Sequence, residues 1–326
     1  MLGPLIMDAT AAIETTRAAP IPPDELRRLG QRSDARGLLR LGGHLLAIAA
    51  CAAAYTLSLQ RSSSLALHGA CALALGFTLV TMFATMHESV HRTAFKTRWL
   101  NDLVAWFAGL LSFYNGTFYR PYHGWHHRFT QLSGQDPELE DAKPTSILGY
   151  LVELSAVPWW IGKCRTYFKL ATGQTSGYGF LNEKNAPGVV RSVRLQLLTY
   201  AVAMGLSVAW GQPYFVTYWL LPMALAQPWL RAILLAEHMG CSNESDMLSN
   251  TRTTYTVWPI RFLMWEMPFH ADHHRYPALP FFALAQAHVK LEPYLSVIAR
   301  SGYSSLHFSL LRDLRKRTPT MHNGTP

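Results

Sequence analysis

The stretch SLALHGACALALGFTLVTMFATMHESVH, residues 64–91, decides how this chain folds. Residues 64–86 carry no Asp, Glu, Lys or Arg. As a helix they can cross a bilayer, which takes roughly 20 residues. The helix then runs into His87-Glu88-Ser89-Val90-His91. Two histidines four apart share one helix face. With a glutamate after the first, they match a zinc-protease motif in which Glu88 would activate a water. The rest of the chain tests that reading.

Three more stretches are apolar enough to span: 41–59, 193–210 and 213–236. Charged residues make up 15% of the 326-residue chain, against about 25% in soluble domains. Aromatics reach 12%, with ten Trp. This is the composition of a membrane protein with wet segments between its spans. Segments 103–119 and 145–160 are also apolar, but contain Asn115, and Glu153 with Pro158. We read both as helices lying in the membrane interface, where Trp and Tyr are at home.

The net charge is +9, yet no nucleic-acid-binding motif is present, so a nucleic-acid partner is not expected. Arg17, Arg27, Arg28, Arg32, Arg36 and Arg40 precede the first span, and Arg312, Arg315, Lys316 and Arg317 stand near the end. Such clusters mark the cytoplasmic side and suit anionic membrane lipids. MLGPLIMD lacks a basic start, so no cleaved signal peptide is expected. Residues 1–36, with Pro20, Pro22 and Pro23, read as a loose cytoplasmic arm, and 301–326 as a basic tail. Cys51, Cys71, Cys164 and Cys241 are scattered, which implies neither a disulfide framework nor a cysteine metal site.

Nine of the fourteen histidines fall into four groups: His87 and His91; His123, His126 and His127 in HGWHH; His238 alone; and His270, His273 and His274 in HADHH. Each H-x-x-H-H turns three imidazoles to one helix face. One such triple has a chance expectation of about 0.03 at this histidine content, whereas a lone H-x-x-x-H is expected about 0.6 times. HESVH is therefore weak alone, and the two triples are strong. With 103–119 interfacial, an even number of spans separates every group, so all nine lie on the side of the N-terminus. Clustered imidazoles suit zinc, copper, iron or nickel. One tetrahedral zinc needs at most four. Nine fit two ions with positions open for a small molecule such as oxygen. Only Glu88 and His91 show the Glu-x-x-His spacing of carboxylate-bridged bundles, so an all-imidazole pair is favoured.

At these residues the chain resembles the membrane fatty acid desaturase family, a superfamily that also holds membrane hydroxylases, alkane oxygenases and carotenoid ketolases. The resemblance spans roughly 40–300 and lies in the three boxes HESVH, HGWHH and HADHH and in His238. It implies an all-α membrane protein with four transmembrane helices and a cytosolic histidine-rich di-metal cap, the membrane domain covering 37–300. It implies two iron ions on His87, His91, His123, His126, His127, His238, His270, His273 and His274, with O2 as co-substrate. The activity implied is desaturation of a fatty-acyl or lipid-like chain, or hydroxylation or ketone formation on an alkane, carotenoid or small molecule. No haem-binding segment is evident, so electrons are expected from a ferredoxin, rubredoxin or cytochrome. FLMWEMPFHADHHRYPALPFFAL looks like a bacterial branch, which implies the inner membrane, and the Arg clusters with the even span count put both termini on the cytoplasmic side. Many members carry Asp where this chain has Glu88.

Metal-bound imidazoles usually donate their other N–H to a carboxylate or carbonyl. Glu88, Asp136, Glu138, Glu237 and Asp272 are near the boxes; Glu88 and Asp272 are the expected partners, and Asp136, in SGQDPEL, is expected to be a turn residue. His44 and His68, inside spans, are expected to face helix neighbours, and His288, His307 and His322 the surface. Trp125 either lines an oxygen pocket or packs on a helix. NTRTTYT, 250–256, is expected to be a simple loop rather than a segment that positions a head group through Arg252. The competing readings are an intramembrane zinc protease using His87, Glu88 and His91, which leaves at least six histidines idle, and a metal transporter or sensor, which would place its ligands within the spans.

Overall fold

The computed structural model describes residues 20–140 and 143–317. Residues 1–19 of the expected arm and 318–326 of the tail, His322 among them, lie outside the described residues. Helix α1 (Pro23–Leu29) begins on a proline, whose fixed φ suits a first turn. In α2 (Asp34–Arg61) the Ser33 side chain caps the start by accepting from Arg36 N. Only Thr81 separates α3 (Leu65–Val80) from α4 (Met82–Val90). Next come α5 (Arg98–Ser112), α6 (Gly116–Phe129), α7 (Ile147–Leu154), α8 (Val157–Ala171) and α9 (Ala186–Ala209). A π-helical turn, Val216–Leu220, leads into α10 (Leu221–His238). The last part holds α11 (Trp258–Leu263), α12 (His270–Arg275), α13 (Phe281–Leu291) and α14 (Gly302–Arg317), with β1 (Thr253–Thr254) paired parallel to β2 (Ile298–Ala299).

Among the described residues, four helical runs are long and apolar enough to cross a membrane: Asp34–Arg61, Leu65–Val90, Ala186–Ala209 and Val216–His238. They correspond to the four stretches read from the sequence. Their ends differ by one to seven residues, because helical hydrogen bonding and hydrophobicity need not stop at the same place. α3 packs between α2 and α10. At Gly76 a Cβ would lie 1.8 Å from the Pro222 carbonyl oxygen, so α3 and α10 meet backbone to backbone and no side chain fits. The outer faces of α2 and α9 expose Leu46, Leu57, Leu198, Leu206 and Val208, the wall a bilayer would cover.

Segment 103–119 is not one helix. α5 stops at Phe113, held at φ 59°, and Asn115 starts α6 by accepting from Phe118 N at 2.9 Å. The Asn115 amide donates to Ser192 Oγ at 3.0 Å and Gln196 Oε1 at 2.8 Å, and Gln196 donates to the Tyr114 carbonyl at 2.9 Å. Polar groups from α9 thus satisfy the exposed backbone of the break, and the chain doubles back along α4. Segment 145–160 likewise breaks at Ala156, φ 62°, between α7 and α8.

The described part of the arm is not loose. Ile21 and Leu29 are buried against Leu284 and Leu291 of α13, because Ile21, Leu26 and Leu29 give this short segment an apolar side. In α14, Leu310 and Leu314 pack with Tyr150 and Met239.

Candidate metal centre

Each histidine group sits at or near the end of a helix. His87 is in α4 and His91 closes it; Arg92, at φ 60°, then turns the chain away. α6 carries His123, His126 and His127; His238 is the last residue of α10; His270, His273 and His274 fill the short α12. Trp265 and Glu266, both at positive φ, set the approach to α12. Side chains rarely adopt that conformation, at a cost of about 1–2 kcal/mol each. Glu266 is held there by ion pairs to Arg40 at 3.2 Å and Arg261 at 2.8 Å.

The nine imidazoles converge, all buried except the half-buried His91. Ligand atoms of His87, His91, His123, His127 and His273 lie within 4.8 Å of one another, as do those of His126, His238 and His274. His270 completes the second group, its Nε2 3.1 Å from Nε2 of both His238 and His274. In the first group Nε2–Nε2 distances are 2.6 Å for His87–His123, 3.0 Å for His123–His127 and 3.1 Å for His127–His273.

These contacts cannot all be hydrogen bonds. A ring nitrogen offers one in-plane position, a proton or a lone pair. The four linked nitrogens of the first group make at most two bonds across three contacts, and His270, His238 and His274 make at most one across two. An ion between the lone pairs satisfies every nitrogen at once. Donors about 2.1 Å from a shared ion lie ~3.0 Å apart on an octahedron and ~3.4 Å apart on a tetrahedron. The buried Nε2 atoms of His91 and His126 have no partner among the described residues. The donor set thus fits two cations.

Protonation agrees with the geometry. Burial pushes His123, His127, His270, His273 and His274 well below the usual imidazole range, and neighbouring rings add to it. Burial takes His91 down to about 3. Neutral rings keep the lone pair a metal needs. His126 differs: burial would lower it, but the charge of Glu138 and the hydrogen bond to Asp136 raise it.

The outer nitrogens show what holds the rings. His126 Nδ1 meets the Asp136 carboxylate at 2.9 and 3.1 Å. His238 Nδ1 is 3.1 Å from the Asn250 carbonyl, His274 Nδ1 3.2 Å from Thr130 Oγ1, and His123 Nδ1 3.2 Å from the Tyr119 hydroxyl. Glu138 approaches the outer nitrogens of His123, at 4.0 Å, and His126, at 3.6 Å, so it backs the rings.

Several expectations are corrected. Glu88 has no imidazole partner among the described residues: its Oε1 accepts from Phe281 N at 3.0 Å, tying α4 to α13, which gives it a structural place. Asp272 does hold a histidine, but that is His288, at 3.0 Å; its other oxygen accepts from Thr253 Oγ1 at 2.8 Å. His288, expected at the surface, is buried and also meets the Tyr255 hydroxyl at 2.8 Å. Asp136 is more than a turn residue. It accepts from Gln131 N and Glu138 N as a turn aspartate does, and its carboxylate also orients His126. The 250–256 segment supports the site through Asn250 and Thr253. Arg252 in it is buried, donating to the Ala236 and Met239 carbonyls. Trp125 donates to the Gln135 carbonyl and packs on Phe129, away from the cluster. His44 lies 2.9 Å from the Thr78 carbonyl and His68 3.0 Å from the Ser58 carbonyl, helix neighbours as expected; His307 meets Tyr150.

Of the partners missed, Tyr119 was within reach of sequence reasoning: it lies one helical turn before His123, on the same face. Thr130, one turn after His126, is legible the same way. Asp136 and Asn250 sit in loops, where no period places a side chain.

Comparison with known proteins agrees with the histidine pattern. The fatty acid desaturase family model matches residues 62–302. An sn-1 oleoyl-lipid 12-desaturase of Picosynechococcus is 24% identical over 235 residues, 67% of this chain and 67% of that protein. One from Synechocystis is 24% identical over 236 residues, 67% and 66%. A chloroplastic omega-6 fatty acid desaturase of Brassica napus is 21% identical over 235 residues, 67% of this chain and 52% of that protein. The match runs through all three histidine boxes and His238, and the chain belongs to the fatty acid desaturase family, whose members are oxidoreductases.

Proposed function

We propose that the nine histidines hold two iron ions, one on His87, His91, His123, His127 and His273 and the other on His126, His238, His270 and His274. The chain would then desaturate a fatty-acyl or lipid-like chain. The overall change takes two hydrogens from adjacent carbons, consumes O2 with two electrons and two protons, and yields a double bond and two waters. When bound, the iron pair supplies the redox chemistry that accepts those electrons. The protein's part is to hold neutral imidazoles in place, with the outer nitrogens of His126, His238, His274 and His123 fixed by Asp136, Asn250, Thr130 and Tyr119. The observation that carries the reading is the convergence of nine rings, eight of them buried, from four chain segments into groups of five and four.

The Arg-rich ends support a cytosolic face for the cap and an inner-membrane location. α5 to α8, broken and shorter than a span, suit the interface. The Picosynechococcus and Synechocystis relatives are named for oleoyl lipids and the Brassica napus one for fatty acids, which supports an acyl lipid as the substrate class. Electrons would come from a ferredoxin, rubredoxin or cytochrome.

The test is expression in a host of known lipid content. We expect two irons per chain and lipid products lighter by two hydrogens. His273→Ala should abolish product and lower the iron content. A product heavier by one oxygen would make the enzyme a hydroxylase, and full activity of His273→Ala would refute the site. One tight zinc with peptide cleavage would overturn the reading altogether.

A further inference from the structure

Glu237 stands immediately before His238 at the end of α10, and its carboxylate faces the four-histidine group. Its Oε2 lies 3.4 Å from His270 Nε2, the nitrogen that also contacts His238 Nε2 and His274 Nε2. Its Oε1 is buried and has no hydrogen-bond partner among the described residues. The nearby guanidinium groups make their ion pair and hydrogen bonds with other partners, although the charge of Arg231 reaches Glu237. Arg231 pairs with Glu153 at 3.2 Å, and the Arg252 guanidinium donates to the backbone carbonyls of Ala236 and Met239. A buried carboxylate without a partner is costly unless it takes a proton or a cation meets it, and the ring nitrogens facing Glu237 are those that would hold a cation.

We infer that Glu237 is a ligand of the ion held by His126, His238, His270 and His274, an inference that rests on the di-iron reading above. The 3.4 Å between its oxygen and a metal-facing nitrogen suits two donors on one ion. Five imidazoles serve the first ion and four the second; Glu237 brings the second to five donors. Its charge also makes the two ions unequal, one in a neutral shell and one in an anionic shell. Carboxylate with imidazole is an ordinary donor set for iron. Glu237 would add one carboxylate to the expected all-imidazole set.

The test compares the full-length wild type with Glu237→Gln, each loaded with isotopically enriched ferrous iron under nitrogen. In the wild type, Mössbauer spectra should show two doublets of equal area. In Glu237→Gln only one should move, and a chelator should strip that iron at least about tenfold faster than in wild type. Glu237→Asp should fall between the two. Both doublets unchanged, with iron equally retained, would overturn the inference while leaving the di-iron reading standing. A wild type that does not take up two irons would overturn both. If the Gln variant does not fold, wild-type protein carrying isotopically labelled glutamate serves instead. Iron loading should shift a labelled carboxylate band in difference infrared spectra, and no shift would refute ligation.

Discussion

Asp136 shows how one side chain can do two tasks. Its oxygens accept from the Gln131 and Glu138 amides, closing the loop after α6, and meet His126 Nδ1. The side chain is fully buried, so these contacts face no competing water. An imidazole whose outer N–H is held by a carboxylate is fixed in tautomer and orientation and is a stronger ligand. Asp136→Asn keeps the shape but loses the charge. We expect iron affinity at the four-histidine group to fall about 10- to 100-fold, with the five-histidine group little changed. Chelator competition on iron-loaded protein measures this. Glu88 teaches the converse: a motif assigned it a catalytic place, and the direction of its carboxylate gave it a structural one.

At the scale of elements, the break between α5 and α6 matters most. Segment 103–119 is apolar enough to tempt a continuous helix, which would carry HGWHH away from HESVH. Asn115 prevents this by capping α6 while its amide meets Ser192 and Gln196 from α9. Gly109 and Gly116 complete the hairpin: a Cβ on either would lie 2.6 or 2.8 Å from a backbone oxygen of the facing strand of chain. Asn115→Ala removes a cap worth about 1–2 kcal/mol and leaves buried Gln196 and Ser192 short of partners, at about 1–3 kcal/mol more. Thermal unfolding should show a lower Tm, and iron content should drop because α6 carries three of the rings. An unchanged Tm would mean that the turn forms without the cap.

Across the whole molecule, the histidine cluster couples stability to metal and to protons. In the metal-free protein, burial holds His91, His123, His127, His270, His273 and His274 below the ordinary 6.5. The unfolded chain binds protons below that pH and the folded chain refuses them, so stability falls as pH drops below about 6.5. His126 and Glu138 act in the opposite sense, since their folded values are raised; they are outnumbered. Lowering pH from about 7.5 to about 5.5 should therefore lower the Tm of the iron-free protein by several degrees. Iron at pH 7.5 should raise the Tm, and a chelator should reverse it, because an ion that binds only the folded state stabilises it by mass action. A flat Tm across both comparisons would count against the site.

The four spans and all nine histidines were legible in the sequence, because hydrophobic length and helical spacing are properties of contiguous residues. The i, i+3, i+4 pattern alone puts three imidazoles on one face, whatever the rest of the chain does. The grouping into five and four was not legible, nor was which carboxylate holds which ring. Those depend on residues far apart in the chain: Glu88 met Phe281 rather than a histidine, Asp272 met His288, and Asn250 and Asp136 reached the rings from loops. A period places side chains along one element. Only the packing of α4, α6, α10 and α12 at one end of the helices decides which ring nitrogens point at the same place.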